Sequence, residues 1–219
     1  GKAEMNITPS TKAYNAVRPD PEGIKEACSL LSSSKNPVLI VGDRVSDDDG
    51  VESAVRLAEL LGLPVFQNRG GEVAFPTNHP QFMGLHSLRV KKDRDTLKHF
   101  DVILAVGMDT FDELFYWGDV ILSKTQKLIH IDPIPGRVGR SEPTDVGIIS
   151  NCKSALEDII EVIEPTFDKK LAKTRTEQII VAGKATRTNY QDSVNDKWNN
   201  LPMSPARMMH ELANAVPDD

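Results

Sequence analysis

Apolar residues along this chain alternate between short dense runs and positions at helical spacing. The dense runs mostly stop at Gly or Pro, which is typical of strands buried on both faces of a parallel sheet. They predict strands at 38–41, 63–66, 101–107, 127–132 and 146–149. Apolar residues three and four apart predict helices over about 21–34, 47–61, 93–100 and 151–163. Residues 67–90 are rich in Gly, Pro and Asn and predict an irregular segment.

Strands that alternate with helices form βαβ units, which require parallel pairing and right-handed crossovers. The pattern therefore predicts an α/β fold over residues 21–165. It is a doubly wound, Rossmann-like parallel sheet of five or six strands with helices on both faces, followed by a C-terminal helical linker. Residues 1–20 lack periodicity and predict an extended lead-in.

The character of the chain changes after Pro165. A thinly apolar helix is expected over about 167–186, so that residues 166–203 form a helical linker. Ser204 and Pro205 are a strong start signal for a last helix. Its apolar face leads us to expect docking, either on the chain's own α/β domain or on a neighbouring chain; that face comprises Met208, Met209, Leu212 and Ala215.

Composition excludes several classes of function. With 26 Lys and Arg against 32 Asp and Glu, the chain is mildly acidic, so no nucleic-acid partner is expected. No run approaches 18 uncharged apolar residues, so no membrane partner is expected. Cys28 and Cys152 lie far apart, form no metal or redox spacing and favour a reducing, cytoplasmic setting. The sequence contains no Gly-x-Ser-x-Gly motif, and no pair of its histidines has metal-site spacing, so we assign neither catalytic nor metal residues.

Ligands of open parallel sheets bind beyond the carboxyl ends of the strands, near the point where strand order reverses. The loops there are 42–44, 67–71, 107–109 and 132–134, and none carries a Gly-x-Gly-x-x-Gly motif. Four acids follow the first strand and would repel a diphosphate, so we expect them to cap helices instead; they are Asp43, Asp47, Asp48 and Asp49. His86 is the one histidine considered near a ligand, although a packing role is favoured.

Five segments occur in an order that is familiar as a set: 36–42, 61–65, 75–85, 100–107 and 127–133. Together they resemble the central domain of thiamine-diphosphate-dependent enzymes of the acetolactate synthase, pyruvate oxidase and benzoylformate decarboxylase group. The stretch Phe-Pro-Thr-Asn-His-Pro-Gln-Phe-Met-Gly-Leu at 75–85 is most similar to the benzoylformate decarboxylase branch. Residues 204–219 resemble the opening of the diphosphate-binding domain that follows, so the chain is interpreted as a domain fragment.

The resemblance implies a non-catalytic central domain of a decarboxylase or lyase acting on 2-oxo acids. The family's catalytic glutamate lies in the preceding pyrimidine-binding domain, and its metal-binding Gly-Asp-Gly…Asn motif lies in the following diphosphate-binding domain. No Gly-Asp-Gly occurs in this sequence. Thiamine diphosphate and Mg²⁺ are therefore expected in the full-length enzyme, a homodimer or homotetramer, and not in this fragment.

Some members of the family bind FAD or ADP in the central domain. The matching positions here form a vestigial nucleotide cleft; they are Gly42, Asp43, Leu85, His86, Gly107, Asp132 and Asp145. The family's flavin branch has a Gly-rich turn where this chain has 42–44, and an Arg-Phe-Asp-Asp-Arg run where it has 108–113. Because both arginines are lost, we expect no bound flavin or ADP.

Two other interpretations remain. The chain could be a free-standing nucleotide- or FAD/ADP-binding module, which the missing phosphate turn and the sequence at 204–219 disfavour. It could also be an NAD-dependent deacylase. Such an enzyme usually carries a four-cysteine zinc module, which a chain with only two distant cysteines cannot form.

Overall fold

The computed structural model describes residues 16–68, 71–87, 90–109 and 121–216, without the side chains of residues 185 and 186. Three segments used in the sequence analysis lie outside the described residues. They are most of the predicted lead-in, residues 110–113 of the segment compared with the flavin branch, and residues 217–219. The strands are β1 (Pro37–Val41), β2 (Val65–Asn68), β3 (Phe82–His86), β4 (Val102–Val106), β5 (Lys127–Asp132) and β6 (Val146–Ile149). The helices are α1 (Pro21–Ser33), α2 (Asp43–Asp47), α3 (Val51–Leu61), α4 (Lys91–Leu97), α5 (Cys152–Ile163), α6 (Lys169–Asp196) and α7 (Pro205–Ala215).

The six strands form one parallel sheet in the order β3-β2-β1-β4-β5-β6. Strand order reverses between β1 and β4, so their carboxyl ends define the topological switch point. The predicted α/β fold class is confirmed. Strand β3 lies inside the segment that we expected to be irregular, and that expectation is wrong for residues 82–86.

Both faces of the sheet are covered. Alternate residues of the central strands, such as Leu39 and Leu104, pack with α1, α3 and α5 in the larger of two apolar clusters. Their neighbours Ile40 and Ile103 face the other way and pack with Leu97 of α4. Strand residues therefore alternate between two cores, which explains why each central strand is apolar throughout.

Two helix boundaries differ from the prediction. The helix expected over 47–61 begins only at Val51, because the chain turns at Asp49, whose φ is 54°. A separate short helix, α2, precedes this turn. The thinly apolar helix does not end near residue 186 but continues as α6 to Asp196. Helix α6 packs on α3, and its buried residues include Ala172, Ile179 and Val194.

Helix α7 begins where Ser204 and Pro205 predict. The Ser204 side chain accepts a hydrogen bond from the Arg207 backbone N–H. None of the residues of α7 is buried, and Met208, Met209 and Leu212 are exposed. Docking of this face on the chain's own α/β domain is thus wrong, whereas docking on another chain stays a prediction. No helix among the described residues has the length and apolar character needed to cross a bilayer.

Candidate functional site

The switch point brings together the two glycines that the sequence singled out, Gly42 after β1 and Gly107 after β4. A Cβ atom on Gly42 would lie 2.5 Å from the carbonyl oxygen of Gly107. Gly107 has a φ of +63°, and a Cβ there would lie 2.7 Å from the Val45 nitrogen. The two loops are therefore packed against each other at a distance that only glycine allows.

The backbone donors at the start of α2 are used within the chain. The Arg44 N–H donates to the Gly107 carbonyl at 3.1 Å, and the Val45 N–H donates to the Gly42 carbonyl at 3.0 Å. The Gly42 N–H donates to the Val106 carbonyl at 3.0 Å. A phosphate group at this position would need these same donors. The described residues therefore do not fit a diphosphate cradle.

An arginine–aspartate network covers the carboxyl ends of β1, β4 and β5. Arg44 Nε donates to Asp132 Oδ2 at 2.8 Å, and Arg44 Nη2 donates to Asp109 Oδ1 at 2.8 Å. Arg137 Nη1 lies 3.1 Å from Asp109 Oδ2. Burial disfavours the charged form of Arg44, but hydrogen bonds and charges of Asp132 and Asp109 outweigh it and raise the pKa of Arg44. Arg44 thus remains a cation that the chain's own carboxylates neutralise.

Asp132, one of the predicted site residues, is fully buried at the end of β5. Its Oδ2 binds Arg44, and its Oδ1 accepts a hydrogen bond from the Ile134 N–H at 2.9 Å. Both oxygens are therefore engaged by the protein. The residue holds the 132–134 turn and Arg44 in place.

The acids after β1 bind backbone N–H groups. Asp43 accepts hydrogen bonds from the Gly71 and Glu72 N–H groups at 3.0 and 3.2 Å, and so ties the loop after β2 to α2. Asp48 accepts one from the Cys152 N–H at 2.6 Å, at the amino end of α5. The prediction that these acids cap helices is confirmed for Asp48. Asp43 binds the backbone of a loop instead.

Leu85 and His86 lie two strands away from the switch point, on edge strand β3. Leu85 is 55% exposed, whereas His86 is buried. The His86 Nε2 lies 2.9 Å from the Asp93 carbonyl oxygen, and its ring meets Phe66 edge to face. Burial lowers the pKa of His86 even though the Asp93 carbonyl opposes this. These contacts give His86 the packing role that the sequence favoured.

Asp145 is separated from the other candidates and its assignment to the cleft is corrected. It directly precedes β6, so it lies at the amino ends of the strands, opposite to Gly42, Gly107 and Asp132. Its carboxylate binds Lys127 Nζ at 2.7 Å and the Leu128 N–H at 2.9 Å. The resemblance to the family placed it in the cleft, but it lies at the amino end of its strand.

Sequence reasoning missed the arginines that complete the site. Arg44 adjoins the chosen Gly42 and Asp43, and Arg137 follows the chosen loop 132–134. The sequence did carry a signal for this network. Arg44 follows β1, Asp109 follows β4 and Asp132 ends β5, so all three lie at the carboxyl ends of strands. Opposite charges at one edge of a sheet are expected to pair.

No group of three or more His, Cys, Asp or Glu side chains suited to a metal ion occurs among the described residues. Near the switch point, Asp109 and Asp132 bind Arg44, while Asp43 and Asp48 bind backbone N–H groups. Together with the lack of Gly-Asp-Gly in the sequence, this means that the described residues do not fit thiamine diphosphate and its metal.

Comparison with known proteins gives a consistent family. The family model described as "Thiamine pyrophosphate enzyme, central domain" matches residues 24–159. A probable acetolactate synthase large subunit of Methanococcus aeolicus is 27% identical over 209 residues, which cover 90% of this chain and 33% of that protein. The chain therefore spans about a third of the length of this relative.

Solved structures agree with the sequence match. The 4-hydroxybenzoylformate decarboxylase of Rhodococcus jostii RHA1, described as thiamine diphosphate-dependent, superposes with a TM-score of 0.62 at 28% identity, over 72% of this chain and 30% of that one. The benzoylformate decarboxylase of Polynucleobacter necessarius matches all of this chain and 38% of its own, with a TM-score of 0.71. Its identity of 18% supports the fold alone.

Proposed function

The chain belongs to the family of thiamine pyrophosphate enzyme central domains, and from that premise we propose that it is the structural middle domain of a larger 2-oxo-acid decarboxylase or lyase, such as a benzoylformate decarboxylase. In this proposal residues 1–20 are a lead-in, 21–165 form the central domain and 166–203 the linker. Residues 204–219 are the first helix of the diphosphate-binding domain. The chain itself supplies no catalytic residue.

One observation carries the structural role: the switch point is closed by the chain itself. In a domain that binds a nucleotide there, backbone donors and cationic side chains at the strand ends are available to the ligand. Here the N–H groups of Gly42, Arg44 and Val45 are bound to carbonyls, and the Arg44 guanidinium is bound to two carboxylates. The same contacts argue against retained FAD or ADP, so the free-standing nucleotide-binding module is not the function that we propose.

The proposal assigns the cofactor to the flanking domains. In the full-length enzyme, the flanking domains would hold thiamine diphosphate and Mg²⁺, which would supply the chemistry of decarboxylation. The residues of this chain act by orientation: the sheet and α6 position the pyrimidine-binding and diphosphate-binding domains that precede and follow it. Assembly as a homodimer or homotetramer in the cytoplasm completes the proposal.

The test compares the full-length protein with the 219-residue chain. With thiamine diphosphate and Mg²⁺, the full-length protein is expected to decarboxylate a 2-oxo acid such as benzoylformate, whereas the 219-residue chain is expected to be inactive. Calorimetric titration of the 219-residue chain with thiamine diphosphate and Mg²⁺ should give no binding heat, and the chain should release no flavin or ADP when denatured. Micromolar, Mg²⁺-dependent binding to the 219-residue chain would overturn the assignment of the cofactor to other domains.

A further inference from the structure

A cavity lies at the amino ends of the strands, on the opposite side of the sheet from the switch point. It is a groove of ≈ 390 Å³ between the amino ends of the strands and helix α6. Its sheet side includes Pro37 at the start of β1, Pro64 before β2 and Phe100 before β4. None of the site residues discussed above lines it. A volume of this size falls in the range of small-molecule pockets, which run from about 300 to 1,000 Å³.

The groove has an apolar body. Met83 of β3 and Phe100 contribute from the sheet, while Ile179 and Ala182 contribute from α6. Apolar walls of this kind favour a ligand with an aromatic or branched aliphatic part. Ile179 and Ala182 are three residues apart on one helix and so lie on the same face.

The ionisable side chains that line the groove, among the described residues, are all basic: Lys35, His99 and Arg175. Arg175 is only 8% exposed, and its guanidinium donates to the Lys35 backbone carbonyl at 3.4 Å, so these two basic residues adjoin each other in the groove lining. Ile179 lies one helical turn beyond Arg175. The lining therefore combines a basic part at Arg175 and Lys35 with apolar side chains, and the third basic residue, His99, adjoins Phe100.

The chain does not neutralise this basic part completely. Arg175 donates to backbone carbonyls of Leu61 and Ser34, while its buried Nε has no hydrogen-bond partner among the described residues. Burial lowers the pKa of Arg175, opposed by the charge of Asp101. Asp101 itself is occupied by the Lys35 and Asn36 N–H groups at 2.7 and 3.0 Å. A ligand carboxylate at this part of the lining would complement the positive charge.

We propose that the groove binds a small monocarboxylate with an aromatic or branched aliphatic body. The apolar body lies between Phe100 and Ile179, and the carboxylate faces the basic part at Lys35 and Arg175. This site is separate from thiamine chemistry and from the switch point. A ligand here bridges the sheet and α6, and so stabilises the docking of the helical linker.

The experiment uses the 219-residue protein labelled with ¹⁵N, and phenylacetate as the probe. Backbone amide shifts are followed during titration, with neutral phenylacetamide as the isosteric control for charge. We expect phenylacetate to saturate shifts of residues 35–36, 99–101 and 178–182 with a Kd below about 1 mM. Phenylacetamide should bind at least about fivefold more weakly, because it lacks the charge.

Variants separate specific binding from general anion attraction. Ala182→Trp fills the apolar part of the groove and should abolish the shifts. Lys35→Gln removes one charge and should weaken binding about fivefold. The control is Lys184→Gln. Lys184 is an exposed residue of α6 outside the groove lining, so this substitution should leave the affinity unchanged.

Three outcomes would overturn the proposal. One is equal binding of phenylacetate and phenylacetamide. Another is the same affinity in the Ala182→Trp variant, which would show that the probe binds elsewhere. The third is movement of the same amides on raising protein concentration without probe, which would assign the groove to a second copy of the chain. Because these readouts involve no thiamine diphosphate, failure here leaves the proposed enzyme function untouched, and the reverse also holds.

Discussion

The guanidinium of Arg44 lies 2.7 Å from the fully buried carboxylate of Asp132, although 88 positions separate the two residues in the chain. Arg44 follows β1 and Asp132 ends β5, and β4 lies between these strands in the sheet. The pair therefore ties the two halves of the sheet together across the switch point, at the place where an open parallel sheet offers a ligand site.

We predict that Asp132→Asn lowers the free energy of unfolding by about 3 kcal/mol. The substitution keeps the size of the side chain but leaves the half of Arg44 that faces Asp132 without a counter-charge, and such losses are costly when buried. Urea denaturation measures the change. The control is Arg56→Ala, which breaks an exposed pair with Glu164 and should cost less than about 1 kcal/mol. Equal effects of the two substitutions would contradict a buried, stabilising network.

Gly107→Ala should destabilise the protein by more than about 2 kcal/mol. The new methyl group would meet the Val45 nitrogen at 2.7 Å, and the residue would be held at a φ of +63° that alanine disfavours. Gly136→Ala is the matched control, because a Cβ there meets nothing within 4 Å. Denaturation of both variants in urea tests this, and a Gly107→Ala protein as stable as Gly136→Ala would show that the loops are not close-packed.

The fold was largely predictable because the two central strands, β1 and β4, are apolar throughout and fully buried, as strands between two helical layers must be. Strand β3 escaped prediction for a physical reason. It is an edge strand, most of its residues are only partly buried, and Gly84 within it has a φ of 115°. Its register with β2 also shifts between Val65 and Phe66. Neither apolar continuity nor alternation therefore marks it in the sequence.

The candidate site was predictable only in part. Gly42, Gly107 and Asp132 follow directly from the rule that ligands bind at the carboxyl ends of strands. The pairing of Arg44 with Asp132 depends on strand order, which local patterns do not encode. Asp145 was misplaced for the same reason: a resemblance in sequence order does not say at which edge of the sheet a loop residue lies.

Arg175→Lys should loosen α6 from the rest of the protein. The Arg175 guanidinium bridges the carbonyls of Leu61 and Ser34, at the carboxyl ends of α3 and α1, and a lysine cannot reach both with one planar group. We expect a loss of about 2 kcal/mol and faster amide exchange over 172–182. Arg187→Lys makes the same exchange at an exposed position of α6 and should change stability by less than about 0.5 kcal/mol. Unchanged exchange in Arg175→Lys would refute the bridging role.

Stability should fall as the pH falls below about 6.5. Burial lowers the pKa of both His86 and His130, so each stays neutral in the folded state while it takes up a proton in the unfolded state. The unfolded state then binds more protons, and the free energy of unfolding decreases with falling pH until the folded pKa is reached. Each histidine contributes at most about 1.4 kcal/mol per pH unit.

Urea denaturation at pH 7.5, 6.5 and 5.5 checks this pH dependence. His86→Gln and His130→Gln should each reduce the slope between pH 6.5 and 5.5, whatever their effect on stability at pH 7.5. A slope that is the same in both variants and the unsubstituted protein would assign the pH dependence to other groups.

The apolar face of α7 is uncovered in the described structure. Met208, Met209 and Leu212 are each about half exposed or more. Among the described residues, α7 meets Trp198 through Arg207 and His210. A helix of 11 residues is marginal in water without such support.

We therefore expect amides of 209–215 to exchange rapidly in dilute 219-residue protein, while amides of α5 stay protected. Protection that rises with protein concentration would show docking on a neighbouring chain, and protection only in the full-length protein would show docking on the following domain. If these amides are strongly protected in the dilute 219-residue protein, independent of concentration, the face must be buried within the chain. That result would contradict the uncovered face.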